Sequence, residues 1–398
     1  MNTPSNPRKY YLDWLRVLTI LSIFVYHCSR LFDTDDWSIK NPGTYPALDI
    51  WDKFATAWGM PLILLISGAS VFLALDKIRL GKYIKGLFAR LLLPLVLGMF
   101  THIAFQVYLE QLNKGTYRGS FWRFYPHYFE GLYGLGGNFA WMGLHLWYLE
   151  LLFILSLLCL PLFAWLKKTA PGKGVLKVSA NLLTLPGAAF LFALPAALLI
   201  NRLDPETWGK TDLGGWSVVI YPFFFIAGFV IASSDALQSR IQQMRWLWLV
   251  VGLLLTPTFL FLEFQTHFPM LIPWGREPNN ILLCLVSWSW LLAVLGFGLE
   301  HLNFNAPFLR YANEACLPFY ILHQTMIVTL AYFVVGWAIP DILKFFLVLF
   351  GAFALSVGTY EGLIRRNNLL RLLSGMKLRA PLQAAPALDG QETLSAQL

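Results

Sequence analysis

Apolar stretches separated by short polar segments occupy almost the whole chain. Leu- and Phe-rich runs of about 18 or more residues recur, and a run of that length crosses a bilayer as a helix. A membrane β-barrel would instead show alternating segments of about ten residues. The pattern therefore predicts an all-α polytopic membrane protein with about ten transmembrane helices. These spans are expected at residues 12–32, 55–75, 90–110, 143–166, 181–201, 216–233, 246–264, 281–299, 313–335 and 342–363.

The composition agrees with a membrane protein. Of the 398 residues, 57% are hydrophobic and 13% are charged, whereas about a quarter of the residues in soluble domains are charged. The mean hydropathy is +0.57. The net charge of +8 does not indicate nucleic acid as a partner, because excess Lys and Arg in membrane proteins usually lie in cytoplasmic loops. The expected partner of the apolar surface is the lipid bilayer.

The distribution of charge between the loops orients the spans. If the N-terminus is cytoplasmic, the inside loops are rich in cations and the outside loops in acids, as the positive-inside rule requires. An even number of spans then places both termini in the cytoplasm. The cations of the inside loops are Lys77, Arg79, Lys82, Lys85, Lys167, Lys168, Lys173, Lys177, Arg240, Arg245, Arg365, Arg366, Arg371, Lys377 and Arg379. The acids of the outside loops include Asp33, Asp35, Asp36, Asp49, Asp52, Asp204, Glu206 and Asp212.

The two ends and the cysteines complete the predicted organisation. The basic N-terminus leads into an apolar run without a small-x-small cleavage site, so this run is interpreted as a retained first helix rather than a signal peptide. Residues 1–375 are expected to form one membrane domain, and residues 376–398 a disordered cytoplasmic tail. The four cysteines are scattered without a CxxC or zinc spacing, so no metal site is predicted.

Two ionisable side chains share the first span. Arg16 and His27 are eleven residues apart, which is roughly 16 Å of helix rise and close to three whole turns, so both lie on one face. Taken alone, Arg16 could simply pair with Asp13, and His27 could be a satisfied core imidazole. Ionisable groups at membrane depth are costly and usually mark a functional path. Together the two residues favour a site that holds an anion at one end and handles a proton at the other.

A basic segment leads into the third span. Lys85 in this segment fits ordinary anchoring at the cytoplasmic surface. Arg90 is expected to point into the bundle, where its planar fork would match phosphate oxygens. Pro94, one turn later, is expected to kink the helix and open room.

Further polar residues lie inside the fourth and ninth spans. His145, Trp147 and Glu150 lie near the outer end of the fourth span. Trp147 could be an interface anchor, but Glu150 lies too deep for that explanation and is expected to pair with a cation or a hydroxyl. In the ninth span, His323 follows Tyr320 and lies at a depth similar to that of His27. A shared interior site is expected, with two unrelated buried histidines as the alternative.

Three weaker signals complete the survey. In the second span, Ser67-Gly68 is expected to serve close helix packing rather than nucleophilic attack. His102, four residues before Gln106 in the third span, is a weaker candidate for the interior site. The outside loop at residues 111–142 is rich in aromatics, which form interfacial belts or stack on sugar rings. They are Tyr117, Phe121, Trp122, Tyr125, Tyr128, Tyr133, Phe139 and Trp141.

Five segments, in this order, resemble the acyltransferase-3 family of integral membrane acyltransferases. They are the spacing of Arg16 and His27, the segment Pro61-Leu-Ile-Leu-Leu-Ile-Ser67-Gly68, the basic run that ends at Arg90 and Pro94, His145-Leu-Trp147-Tyr-Leu, and Tyr320-Ile-Leu-His323. The resemblance covers about residues 8–365, and the His-Leu-Trp pattern is most similar to the stand-alone branch that includes glucan-succinylating enzymes. The sequence departs from the branch with a Val-Glu-Glu-Gln run after this Trp, because Glu150 is only three residues beyond Trp147.

The resemblance implies transfer of an acyl group, such as acetyl or succinyl, from cytoplasmic acyl-CoA to a hydroxyl of an extracytoplasmic or lipid-linked carbohydrate. The expected location is a bacterial-type inner membrane. His27 and Arg16 form the expected catalytic pair, with His27 as general base, since an imidazole suits proton transfer at neutral pH. A covalent acyl-His intermediate stays open. The residues expected to hold the CoA phosphates are Arg16, Arg90 and Lys85. Those expected to bind the acceptor or orient His27 are Glu150, His145, Trp147, His323 and Tyr320.

From the residues alone, a second class of protein competes with this interpretation. Intramembrane Arg and His can form the path of a proton-coupled transporter or flippase for a small anion or a lipid-linked sugar. No inverted repeat and no paired broken helices accompany them in the sequence. The identity of the acceptor and the oligomeric state stay open at this stage.

Overall fold

The computed structural model describes residues 8–185, 187–267 and 276–379. Across these ranges the regular elements are helices, and extended pairing is limited to two isolated bridges between residues 132 and 139. The predicted all-α class is confirmed. The helices are α1 (Tyr10–Ser29), α2 (Pro46–Lys77), α3 (Leu80–Leu87), α4 (Leu93–Phe100), α5 (His102–Asn113), α6 (Phe121–His127), α7 (Trp147–Leu158), α8 (Leu160–Lys168), α9 (Ala170–Leu182), α10 (Ala193–Ile200), α11 (Tyr221–Ala232), α12 (Asp235–Gln243), α13 (Arg245–His267), α14 (Arg276–His301), α15 (Pro307–Val334), α16 (Asp341–Thr359) and α17 (Asn368–Leu373). Short 3-10 segments (Leu144–Leu146, Ala188–Phe192) and π segments (Phe88–Leu92, Tyr360–Ile364) adjoin them.

The described helices fit a protein that crosses a membrane several times. Seven helical stretches are long and apolar enough to cross a bilayer, and the number rises to nine if each of two bent pairs counts as one span. The multi-pass prediction is confirmed, whereas about ten spans and cytoplasmic termini stay predictions. The span predicted at residues 181–201 forms only the short apolar piece Ala188–Ile200, because Gly187 adopts a left-handed φ of 76° just before it. Residues 380–398 of the predicted tail lie outside the described residues.

Proline and a helical bulge shape the spans near the site. Pro161 lies in the first turn of α8 and cannot continue α7, so the two helices meet at 46°. In the third span, the irregular segment is the π-helix Phe88–Leu92, which comes just before Pro94. The stretch nevertheless continues as one candidate span to Asn113. The irregularity of this span is therefore the π-helix before Pro94, and the opening expected at Pro94 stays a prediction.

Two glycines let α2 and α11 lie unusually close. A Cβ on Gly68 would lie 1.8 Å from the carbonyl oxygen of Phe225, and a Cβ on Gly228 would lie 1.9 Å from that of Leu65. The two backbones are thus in mutual contact, as small residues allow in membrane helices. Ser67 donates a hydrogen bond to the carbonyl of Ile63. The close helix packing expected at Ser67-Gly68 is therefore confirmed at Gly68.

The first helix lies at the centre of the bundle and links its two ends. It contacts α2, α14, α15 and α16. Near its start, Lys9 pairs with Asp235 at 2.8 Å, and Arg16 hydrogen bonds to Asn313 of α15. The C-terminal segment reaches the same end of α15, where Arg371 pairs with Glu314 at 2.8 Å. The first and last described segments therefore lie at one end of the bundle, and His27 lies toward the other.

Candidate active site

A polar pocket of about 380 Å³ opens beyond the end of α1 that carries His27. Its size falls in the range of small-molecule sites. Seven parts of the chain form its wall: the end of α1 with the loop that follows, the first half of α2, the end of α5, the loop after α6, the turn before α7, the loop before α11, and α15. The side chains used below are His27, Arg30, Asp36, Trp37, Glu110, Lys114, Tyr133, His145, Trp147 and Asp212. His27 and His145 therefore meet in one cavity, although 118 residues separate them in sequence.

Four histidines from four helical segments form a row, and two of them, His27 and His145, line this pocket. The ring centroids of His27 and His323 are 5.2 Å apart, those of His323 and His145 are 5.1 Å apart, and those of His145 and His102 are 6.3 Å apart. Each ring has one buried nitrogen without a hydrogen-bond partner. The expectation that His27 and His323 share an interior site is supported by this geometry.

Backbone and hydroxyl groups fix the orientation of three of these rings. His323 Nδ1 donates to the carbonyl of Tyr320 at 2.7 Å, and His145 Nε2 donates to the carbonyl of Ile321 at 3.1 Å. His102 Nδ1 lies 2.9 Å from the hydroxyl of Thr325. Because each neutral imidazole has one donor and one acceptor nitrogen, His323 Nε2 and His145 Nδ1 carry free lone pairs.

The turn before α7 places His145 in this row. Gly143 has a φ of 70°, and Leu144 is the one non-glycine residue of the described chain with a positive φ, at 48°. A side chain in the left-handed region is strained and persists where the surrounding structure enforces it. The reversal aims His145 at α15, where the hydroxyl of Tyr320 also donates to the His145 carbonyl. The strained turn therefore holds the His145 imidazole in the row of histidines.

The loop between α1 and α2 covers His27 and is held in place by ion pairs. Trp37 stacks over the imidazole with centroids 6.5 Å apart. At the base of the loop, Asp33 is fully buried and pairs with both Arg30 and Lys40. Arg30 also lies 3.6 Å from Asp52 of α2. These pairs hold the loop, and with it the Trp37 ring, over the mouth of the pocket.

A second polar group forms the opposite wall. Glu110 is 3% exposed and accepts hydrogen bonds from the Tyr133 hydroxyl at 2.8 Å and from Lys114 at 2.8 Å. Burial, followed by the charge of Glu110, raises the pKa of Tyr133 well above its usual value. The hydrogen bond from Lys114 to Glu110 raises the pKa of the Lys114 ammonium. Tyr133 therefore stays a neutral hydroxyl and Lys114 a cation at any physiological pH.

Arg16 lies at the other end of the same helix face and is 28% exposed. Its Nη1 donates to Asp13 at 3.3 Å and to Asn313 at 3.1 Å, and its Nη2 donates to Ser70 at 2.7 Å. The pairing with Asp13 was one expectation for Arg16, and it occurs together with two partners from other helices. An arginine has five N–H donors. The guanidinium is therefore oriented by the protein and keeps free donors for an anion.

The other residues predicted to bind the donor lie on the outside of the bundle. Arg90, in the π segment, is exposed, so the expectation that it points into the bundle is wrong. Arg90 lies within the π-helix Phe88–Leu92, where the residue spacing of a regular α-helix no longer predicts which face a side chain occupies. Lys85 is also exposed and borders a shallow apolar groove with Phe88 and Leu92.

The predicted acceptor residues fall in three places. His145 and Trp147 line the pocket, and the Trp147 ring lies 5.7 Å from that of Tyr221. His323 and Tyr320 are buried behind the pocket, at 1% and 4% exposure. Glu150 is only half-buried, and its Oε2 has no hydrogen-bond partner. The pairing expected for Glu150 is therefore absent at this oxygen.

Most aromatic side chains of the loop at residues 111–142 pack against one another. Tyr117 and Phe124 have ring centroids 5.1 Å apart, and Tyr128 and Phe139 have theirs 5.5 Å apart. Trp122 points outward and is 79% exposed. Of the eight aromatics expected as belts or sugar contacts, Tyr133 lines the pocket. The loop thus forms a packed aromatic cluster beside the pocket.

Several pocket residues escaped sequence reasoning. Glu110 and Lys114 carried a usable signal, since an acid and a base four residues apart at the end of a span form a pair on one helix face. No sequence signal marked Trp37, Asp36 and Asp212, because their position at the pocket depends on how two loops fold over the bundle. Among the described residues, no group of three or more His, Cys, Asp or Glu side chains is arranged to hold a metal ion.

Comparison with known proteins identifies the family. The family model described as an acyltransferase domain matches residues 9–361. Curated relatives include "Glucans biosynthesis protein C" of Salmonella schwarzengrund, which is 21% identical over 382 residues that cover 94% of this chain and 97% of the relative. The proteins of the same name from Salmonella paratyphi B and Salmonella dublin match with the same identity and coverage. No solved structure is significantly similar to the chain. The chain belongs to the acyltransferase-3 family of integral membrane acyltransferases, as the five sequence segments predicted.

Proposed function

We propose that this protein is an O-acyltransferase of a bacterial inner membrane. It would move an acyl group from cytoplasmic acyl-CoA to a hydroxyl of an extracytoplasmic or lipid-linked carbohydrate. The observation that carries the proposal is the arrangement of α1. His27 lines a polar pocket at one end, and a partly exposed, oriented Arg16 lies on the same face roughly 16 Å away.

The donor would enter from the end that holds Arg16. CoA carries a diphosphate and a further phosphate, and a guanidinium fork matches phosphate oxygens. Arg16 would bind one of these groups, and the exposed Arg90 and Lys85 would attract the anion from solution. The thin pantetheine arm would then extend along the face of α1 to bring the thioester to His27. Ser67 and Tyr148, joined at 2.8 Å, offer polar contacts on the way.

His27 would act as the general base. Its imidazole would take the proton of the acceptor hydroxyl while the hydroxyl oxygen attacks the thioester carbonyl carbon. As the tetrahedral intermediate collapses, the C–S bond breaks, and the imidazolium returns its proton to the leaving thiolate. The products are the O-acyl sugar and free CoA, and His27 is restored. Direct transfer of this kind needs no covalent enzyme intermediate.

The acceptor would occupy the pocket outside His27. A stacked Trp and a cluster of neutral and charged donors suit a sugar, which presents an apolar ring face and many hydroxyls. Trp147 and Trp37 would supply the faces, and Lys114, Tyr133 and His145 the hydrogen bonds. The name of the Salmonella relatives favours a glucan as the acceptor.

The test is to replace His27 by Ala in cells and to measure acylation of surface and periplasmic glycans by mass spectrometry. We expect the acyl mass increment to disappear while the membrane-inserted protein remains at its normal level. His301→Ala is the matched control, because His301 is an exposed histidine at the end of α14, and it should leave acylation unchanged. Normal acylation with His27→Ala would refute the mechanism.

A further inference from the structure

His27 lacks the partner that usually orients a histidine base. In a catalytic triad a carboxylate holds one ring nitrogen and stabilises the imidazolium. Within the described part of the chain, no hydrogen bond or ion pair joins His27 to a carboxylate, and its Nδ1 is buried without a partner. Asp52 accepts from Ser29 through Oδ1 at 2.8 Å, and its Oδ2 lies 3.6 Å from Arg30; neither oxygen is hydrogen-bonded to His27. In the described part of the chain, a carboxylate therefore does not perform this task for His27.

His323 is the side chain placed to do so. It is 1% exposed and its ring centroid lies 5.2 Å from that of His27. Two imidazoles joined by an N–H···N bond of about 2.9 Å have centroids roughly 5 Å apart, so the observed spacing fits such a bond after a small rotation of the His27 ring. Phe24 and Phe319 pack against His323 and confine the ring to this place.

The hydrogen bonds around His323 leave one lone pair for His27. Its Nδ1–H is used by the carbonyl of Tyr320, so its Nε2 is an acceptor, and this atom is buried without a partner. His145, on the far side of His323, cannot supply a proton to it, because its own N–H is used by the carbonyl of Ile321. The Tyr320 hydroxyl is likewise used by the carbonyl of His145.

We propose that His323 is the positioning residue for His27 and takes the place of the triad carboxylate. His323 Nε2 would accept the Nδ1–H of His27, which leaves His27 Nε2 as the base toward the acceptor hydroxyl. When His27 takes the proton, the same bond shares the charge of the imidazolium with the His323 ring. This inference rests on the proposed role of His27 and adds a second histidine to it.

Two substitutions that both introduce an amide, His323→Asn and His323→Gln, distinguish a positioning role of His323 from a packing role. The amide of His323→Asn lies near the position of Nδ1 and can still donate to Tyr320, but it offers no acceptor toward His27. The longer His323→Gln places its amide oxygen near the position of Nε2 and keeps the acceptor. A hydrogen bond to a charged group contributes enough to change a rate about ten- to a hundredfold. We expect kcat to fall by that factor with Asn, to recover largely with Gln, and the KM for acyl-CoA to stay constant in both.

The measurement is thiol release from acetyl-CoA and succinyl-CoA by purified protein with glucan oligosaccharides as acceptors. Thermal unfolding of each variant reports on folding, and His301→Gln is the control. As a second route, His323→Ala should regain activity when free imidazole is added. Equal kcat values for Asn and Gln, or no rescue of the Ala variant by imidazole, would overturn the assignment of His323. Full activity of His27→Ala would instead overturn the proposed function itself.

Discussion

Arg16 is an oriented cation because three helices hold it. Its own helix contributes Asp13, α15 contributes Asn313, and α2 contributes Ser70. Such contacts fix the plane of a guanidinium, which a lysine ammonium cannot reproduce. In the proposed mechanism, the remaining donors would bind a phosphate of acyl-CoA.

We therefore expect Arg16→Lys to raise the KM for acyl-CoA by roughly tenfold and Arg16→Ala by up to about a hundredfold, since a charge-assisted hydrogen bond contributes about 1.5–3 kcal/mol. Initial rates at varied acyl-CoA concentration measure the effect. Arg310→Ala removes an exposed cation at the same end of α15 and is expected to change the KM little. A KM for Arg16→Ala equal to that of the unchanged protein would exclude Arg16 from donor binding.

The residue scale also shows what the sequence could predict. Spacing alone placed Arg16 and His27 on one face, because a helix fixes that relation locally. Helix rise placed His323 at the depth of His27, and the rings do meet. The prediction that Arg90 points into the bundle was wrong, because the π segment Phe88–Leu92 changes the helical register there. Asn313 and Ser70 could not be identified as partners of Arg16, since their contact depends on how three helices are rotated.

Among the helix pairs, α2 and α11 pack with their backbones in direct contact at Gly68 and Gly228. A methyl group on Gly68 or Gly228 would overlap the carbonyl oxygen of the facing helix, and no rotamer change can relieve a backbone clash. The helices would have to separate, and neighbouring contacts such as the T-shaped pair of Phe72 and Phe229 would be lost with them.

We expect Gly68→Ala or Gly228→Ala to cost about 3 kcal/mol or more, the upper part of the range for overpacked sites. Fluorescence-monitored unfolding in detergent should show a lower Tm for both variants. Gly59→Ala is the matched control on α2, because a Cβ at Gly59 meets no atom within 4 Å, and Ala favours the helix more than Gly. An unchanged Tm for Gly68→Ala would show that α2 and α11 are not so close.

At this scale, hydropathy predicted where most helices lie and missed how they end. The predicted span at residues 143–166 is a bent pair because Pro161 interrupts it, and the span at 181–201 shortens to Ala188–Ile200 after Gly187. Hydropathy averages over a window of residues and is insensitive to a single proline or left-handed glycine. Gly143, with a φ of 70°, is another such position, and the turn that it forms before α7 places His145.

In the whole molecule, one face of α1 connects two ends of the bundle, with Arg16 near one end and His27 near the other. The end near Arg16 holds both described termini and the pair of Arg371 and Glu314. The end near His27 holds the loop between α1 and α2 and a pocket with charges of both signs. A donor and an acceptor that meet at His27 would thus approach from opposite sides of the membrane.

This sidedness predicts a labelling pattern. All four native cysteines are buried, so a membrane-impermeant maleimide should report only on cysteines introduced at exposed positions. Arg118→Cys, in the loop beside the pocket, should be labelled in intact cells, whereas Arg310→Cys, near Arg16, should be labelled only in inverted vesicles. In such vesicles, acyl-CoA added outside should support transfer to glycan enclosed inside. Labelling of both cysteines from one side would contradict the two-sided arrangement, because donor and acceptor would then share an entrance.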